Sequence, residues 1–367
     1  MTTMTAPPPT AGPADLDVDE ILQRAMALDA SDIHIVAGHR PMVRVHTKME
    51  PLDGYDALTA DDTLKLIRHM ACEENWARFE ANKDADFSYA VEGLGRYRVN
   101  AHLQRHGAGI AMRAIKENIP ALESLNLPEV IGKLTYLPRG LVLVTGATGS
   151  GKSTTLAAMI QEMNQRYHRH ILTIEDPIEY AFKSDKCVIE QRELGADVPS
   201  FASGLKHALR QDPDIILVGE MRDLDTTAAA ITAAETGHLV LSTLHTNSAG
   251  STIERIVDMY PASQQNQIRS MLANTLQAVV SQQLFKRIDE PGMVPALEVM
   301  VATPAVRNLI RESRTFEIPN VIETNRALGM QLLDNAITSL FFSGMISKED
   351  AVAKAVHPEK LNRTLGA

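Results

Sequence analysis

Residues 141–155 read LVLVTGATGSGKSTT. Leu141, Val142, Leu143 and Val144 form a short apolar run, the mark of a strand buried on both faces of a parallel sheet. Gly146, Ala147, Thr148, Gly149, Ser150, Gly151, Lys152 and Ser153 then match GxxxxGK[ST], and Thr154 continues into a run of helical character. In that setting the glycines let backbone N–H groups curl around phosphates, and the helix N-terminus adds partial positive charge. Lys152 is expected to reach the β- and γ-phosphates and the Ser153 hydroxyl to ligate Mg²⁺, so ATP and Mg²⁺ are the expected cofactors. A chance glycine-rich turn is the bland alternative; a strand and a helix in register on either side weigh against it.

The same texture continues downstream. HILTIE, DIILVG and HLVLSTL are further apolar strands, each followed by helical spacing, which predicts an α/β domain around a parallel sheet. After residue 260 the pattern turns mainly helical, interrupted by strands near QQLFKRI and PALEVM. Upstream, VDEILQRAMAL is an amphipathic helix expected to bury Ile21, Leu22, Ala25, Met26 and Leu28. DIHIV, PMVRVH, ADFSYAV, GRYRVNAHL and GIAMRAI read as strands, with helical spacing near residues 60–80. The expected plan is a Pro-rich disordered tail (1–14), an α+β domain (15–115), a linker (116–135) and an ATPase domain (136–367) whose helical C-terminal region starts near 303.

Composition narrows the function classes. With 36 Lys and Arg against 46 Asp and Glu, the formal charge is −10, so no nucleic-acid footprint is expected. Cys72 and Cys187 form no CxxC pair and read as reduced thiols. No apolar run reaches the roughly 18 residues that span a bilayer, and the start resembles no signal peptide, so a cytoplasmic chain without an integral membrane segment is expected.

Several polar residues stand at strand ends. IILVG leads into Glu220, with Gly219 where a magnesium-binding Asp often stands; Glu220 is the general-base candidate. In TIEDPIEY, Glu175 and Asp176 are expected to reach Mg²⁺, partly through water, and Glu179 joins the catalytic acids. A solvated acidic turn is the plainer alternative. His238 and His245 flank LVLSTL, and beside a phosphate loop both are candidates for sensing the γ-phosphate.

GATGSGKST, TIEDPIE, DIILVGEMRD and TGHLVLSTLHT, in that order, resemble the Walker A, Asp, Walker B and His boxes of secretion-superfamily ATPases. SDIHIVAGHRPMVRV and GRYRVN resemble that superfamily's PAS-like N-terminal domain. The short chain, the lack of a four-cysteine module, and AVRNLIRE (305–312), close to the AIRNLIRE signature, favour the PilT family of pilus-retraction ATPases. The resemblance implies a RecA-like core, a homohexameric ring with nucleotide sites shared between neighbours, and work on an inner-membrane pilus platform protein from the cytoplasmic face. Arg98 and Arg113 are the candidates for reaching a neighbour's nucleotide, with Arg210 a further one; Arg98 lies on a polar strand face with Arg96, Asn100 and His102. Within AVRNLIRE, Leu309 is expected in the core, while Arg307 and Arg311 are expected to meet a moving partner and couple hydrolysis to motion. An accessory paralogue or export motor, a DNA translocase and a non-hydrolysing ATP scaffold are the rival readings.

Overall fold

The computed structural model describes residues 16–45, 48–115 and 118–366; the expected tail, 1–14, lies outside them. The chain divides into two compact units at Glu117/Asn118.

The first unit orders α1 (Val18–Ala27), β1 (Asp32–Val36), β2 (Met42–Val45), β3 (Lys48–Pro51), α2 (Ala60–Met70), α3 (Glu73–Asn82), β4 (Asp84–Val91), β5 (Gly95–Gln104) and β6 (Gly107–Ile115). Its six strands form an antiparallel sheet in the order β3-β2-β1-β6-β5-β4. Asp17 caps α1 by accepting from Asp19 N, and Val18, Ile21, Leu22 and Ala25 make its buried stripe. The expected inward face is corrected at its ends: Met26 is only half-buried, and Leu28, already past the helix, is exposed. The sheet's inner face (Ile33, Ile35, Val43, Tyr97, Val99, Ile110) packs with α1 and α2 in one core. Arg98 lies on the opposite face of β5, which is flanked by β6 and β4 and is therefore an interior strand.

The second unit begins with a short 3₁₀ turn and α4 (Glu129–Leu134). There follow β7 (Gly140–Thr145), α5 (Lys152–Arg166), β8 (His170–Glu175), β9 (Val188–Glu193), α6 (Phe201–Ala208), β10 (Ile215–Val218), α7 (Leu224–Glu235) and β11 (Leu239–Leu244). Next come α8 (Ala249–Asp258), α9 (Ala262–Thr275), β12 (Leu276–Lys286), β13 (Met293–Val301), α10 (Pro304–Arg311) and α11 (Ile318–Thr324). The unit closes with α12 (Leu333–Phe342), α13 (Lys348–Ala353) and α14 (Pro358–Gly366). Seven strands form one sheet, β13-β12-β7-β11-β10-β8-β9, parallel except for β13. β9 was not expected from VIEQRE, because a half-exposed strand at the sheet edge carries no apolar run.

Every residue of β7, β10 and β11 is buried. Leu141 and Leu143 face the core shared with α6 to α11, while Val142 and Val144 face the one shared with α4 and α5. Each such side chain contributes roughly 1.5–3 kcal/mol of burial, so the strand that delivers the glycine-rich loop is firmly held. The stretch expected as a linker is partly built into this unit: Leu122, Val130, Ile131 and Leu134 pack against Met159, Ile160 and Met163. The prolines that suggested a linker include Pro128, which stands at the start of α4. A smaller core joins Phe285, Val294 and Ala296 of the β12–β13 hairpin to Leu333, Ile337, Leu361 and Leu365. No helix among the described residues is long and apolar enough to cross a membrane.

Candidate nucleotide site

The loop leaving β7 turns on glycines with positive φ: 140° at Gly146, 77° at Gly149 and 87° at Gly151. A Cβ on Gly146 would stand 2.3 Å from the Gln282 carbonyl oxygen, and one on Gly151 2.7 Å from Gln282 Nε2; at Gly149 it would meet open space. Two of the three glycines are thus also demanded by the close passage of β12. Lys152 Nζ folds back on the loop, donating to the carbonyls of Gly146 (2.8 Å) and Ala147 (3.0 Å). Burial pushes its pKa down, opposed by the charges of Glu220 and Glu179.

Lys152 borders a cavity of about 520 Å³, which Thr148, Gly149, Gly151, Ser153 and Thr154 also line. Glu175, Asp176, Glu179, Glu220 and His245 line it too, brought there by the ends of β8, β10 and β11. Gly146, Ala147 and Ser150 lie outside this lining, and the buried Ser150 Oγ has no partner among the described residues. Glu220 is held at both oxygens: Oε1 is 3.2 Å from His245 Nε2, and Oε2 accepts from Arg222 Nε at 2.8 Å. Glu175 is buried, accepting from Thr173 Oγ1 (2.7 Å) and Gln191 Nε2 (3.1 Å), and burial pushes its pKa up. Asp176 is exposed, 3.8 Å from Arg222 Nη1.

These donors suit Mg²⁺. The Ser153 hydroxyl and the Glu175 and Asp176 carboxylates are all oxygen ligands on one cavity. No cluster of three or more His, Cys, Asp or Glu poised for a metal occurs among the described residues. Mg²⁺ beside phosphates asks for only one or two protein carboxylates.

Other expected residues stand elsewhere. His238 precedes β11, at the amino edge of the sheet, with its ring Nδ1 2.9 Å from Ala233 O. The strand between it and His245 spans roughly 20 Å, so the structure does not bring it to the cavity. On the first unit, Arg113 pairs with Asp32 at 2.7 Å and opposes Arg98 across β5 and β6, while Arg98 lies 3.9 Å from Asp86. Against the upward effect of burial, Ser31 and Arg113 hold the Asp32 carboxyl below its ordinary range.

Arg307, half-buried, and Arg311, exposed, both make hydrogen bonds within the chain. Arg307 donates to the carbonyls of Ala273 and, at 3.0 Å, Asn274; Arg311 donates to Asn274 Oδ1 at 2.8 Å. The last carbonyls of α9 lack helical partners and sit at its negative end, which is where arginines bind well. Leu309 is buried, as expected. Gln282 and Arg222 were not foreseen; a polar residue inside the apolar run VVSQQLF was the available signal for the first.

Residues 10–331 match the family model "Type II/IV secretion system protein". The chain belongs to this family, in its PilT branch. It is 47% identical over 344 residues to the type IV pilus retraction ATPase PilT of Pseudomonas aeruginosa, covering 94% of this chain and 99% of that one. It is 45% identical over 322 residues to a twitching motility protein of Neisseria gonorrhoeae, covering 88% and 86%. A crystal structure of the pilus retraction motor PilT with bound ADP superposes with a TM-score of 0.89 at 44% identity, covering 95% of this chain and all of that one. The chain is therefore an ATPase that binds nucleotide.

Proposed function

We propose that this ATPase drives retraction of a type IV pilus, as a homohexamer at the inner face of the cytoplasmic membrane acting on a platform protein. The observation that carries the reading is the 47% identity, nearly end to end, with a retraction ATPase. In the proposed cycle the loop from Gly146 to Thr154 holds the phosphates and Lys152 exchanges its two loop carbonyls for phosphate oxygens. Glu220 takes the proton of the attacking water on Oε1, beside His245, while Arg222 keeps Oε2 fixed. Ser153 and Asp176 would hold Mg²⁺, and Glu175 would do so through water; the bound ion neutralises charge on the phosphates. Glu179 adds negative charge near Lys152, and Arg98 and Arg113 are assigned to a neighbouring subunit's nucleotide, as arginine fingers act in phosphoryl transfer. Arg307, Leu309 and Arg311 couple hydrolysis to motion, through the helix end they hold together and, at Arg311, through an exposed guanidinium that meets a moving partner.

A Glu220→Gln allele tests this. Turnover should fall by about 10²–10⁴-fold with the ring still assembled, and cells should keep surface pili but lose twitching. Bald cells would instead assign an assembly motor. Mixing Arg98→Ala with Glu220→Gln subunits should restore some hydrolysis; none in mixed rings would remove the trans role of Arg98.

A further inference from the structure

The side chain of Gln282 lies beneath the glycine-rich loop and is itself buried. Its Nε2 donates to Ser150 O at 2.7 Å, and its Oε1 accepts from Thr155 Oγ1 at 2.8 Å. One amide thus ties the loop to the first turn of the helix that follows it. Its backbone carbonyl is also the atom that closes the space above Gly146. None of these groups faces the cavity directly, since Gln282 is not among the residues that line it.

A loop that binds phosphate through backbone N–H groups must keep those groups turned outward. Its carbonyls then point inward, where each needs a donor. Ser150 O is such a carbonyl, and Gln282 supplies the donor from a strand some 130 residues away in sequence. An amide suits the task because it offers a donor and an acceptor at once. A carboxylate would present oxygen to oxygen at Ser150, and an aliphatic chain would leave both Ser150 O and the Thr155 hydroxyl unpaired.

We infer that Gln282 is a positioning residue that sets the shape of the phosphate loop from below and thereby its affinity for nucleotide. The inference rests on the reading of that loop as the nucleotide site. The test measures, on the full-length protein, binding of a fluorescent ADP analogue, kcat and KM for ATP, and the melting temperature. Gln282→Met keeps the length and removes both bonds; Gln282→Glu keeps only the acceptor for Thr155. Each should weaken ADP binding and raise KM by about tenfold or more, with kcat changed by less than about threefold. Ser281→Ala is the control for packing, because it removes the buried bond between Ser281 and Thr145 next door without touching the loop backbone.

Unchanged ADP affinity and KM in folded Gln282→Met and Gln282→Glu would overturn the inference. So would an equal loss of affinity in Ser281→Ala. If both Gln282 variants fold poorly, Thr155→Val carries the test: it cuts only the helix-side bond and should weaken ADP binding by about two- to fivefold, and no change overturns the inference. Lys152→Ala reports separately on the nucleotide reading; if it binds ADP as well as the wild type, that reading fails first.

Discussion

At the carboxyl edge of the seven-stranded sheet, Lys152, Glu220 and His245 border one cavity; at the amino edge, polar side chains bind backbone. There His238 takes Ala233 O, its own carbonyl accepts from Gly140 N, and Arg307 holds the end of α9 beside the start of β12. Both edges are rich in polar residues, and both drew functional expectations. They differ because parallel strands deliver their following loops to one side only, where backbone N–H groups are free for a ligand. On the other side the helix ends arriving there need capping, and the side chains supply it.

The strongest way to break this contrast lies in α10, at the amino edge. Leu309→Ala should cost about 2–5 kcal/mol of stability by opening a cavity, and Arg307→Ala about 1.5–3 kcal/mol by removing charged hydrogen bonds to α9. Urea unfolding measures both, while kcat per folded ring should hold for Arg307→Ala. If Arg307→Ala is as stable as the wild type but cells stop twitching, the arginine meets a partner after all, and the amino edge carries function.

A smaller effect separates the two histidines. His245→Ala should lower kcat by about 10- to 100-fold, since it removes the group beside Glu220 Oε1, whereas His238→Ala should stay within about twofold. A comparable loss in both would mean that His238 reaches nucleotide in the assembled ring.

Much of the site was legible because its parts are local in the chain. Strand, glycines, Lys152 and Ser153 are consecutive; His245 directly follows an apolar strand, and Glu220 follows one with only Gly219 between. The direction of those strands was also available: a loop at the carboxyl end of β7 places His245 beside it and His238 far away, whatever their spacing. The remainder depends on residues distant in sequence. The β12–β13 hairpin lies more than 100 residues beyond the loop that Gln282 supports. The arginines of α10 could be matched to Ala273 and Asn274 only once α9 was folded against them. β9 escaped notice for the opposite reason: it lies at the sheet edge and alternates too weakly to stand out.

Glu298 marks the limit of the contrast, for it is a buried carboxylate near the catalytic edge with a structural bond. It lies opposite Ser281 on β13 and accepts from Ala249 N at 2.7 Å, at the start of the helix that follows the His245 loop. Burial pushes its pKa up, against the Ala249 hydrogen bond and with the charge of Asp334. The native state therefore holds this proton to a higher pH than the unfolded chain does. Stability from this group is present below the unfolded value and falls as pH rises through the folded one. Glu298→Gln keeps the acceptor and cannot ionise, so its melting temperature should lack that decline, and its kcat should match the wild type at every pH. A loss of turnover like that of His245→Ala, with no change in the pH dependence of melting, would instead place Glu298 with the chemistry, and proximity to the carboxyl edge would then predict function better than bonding partners do.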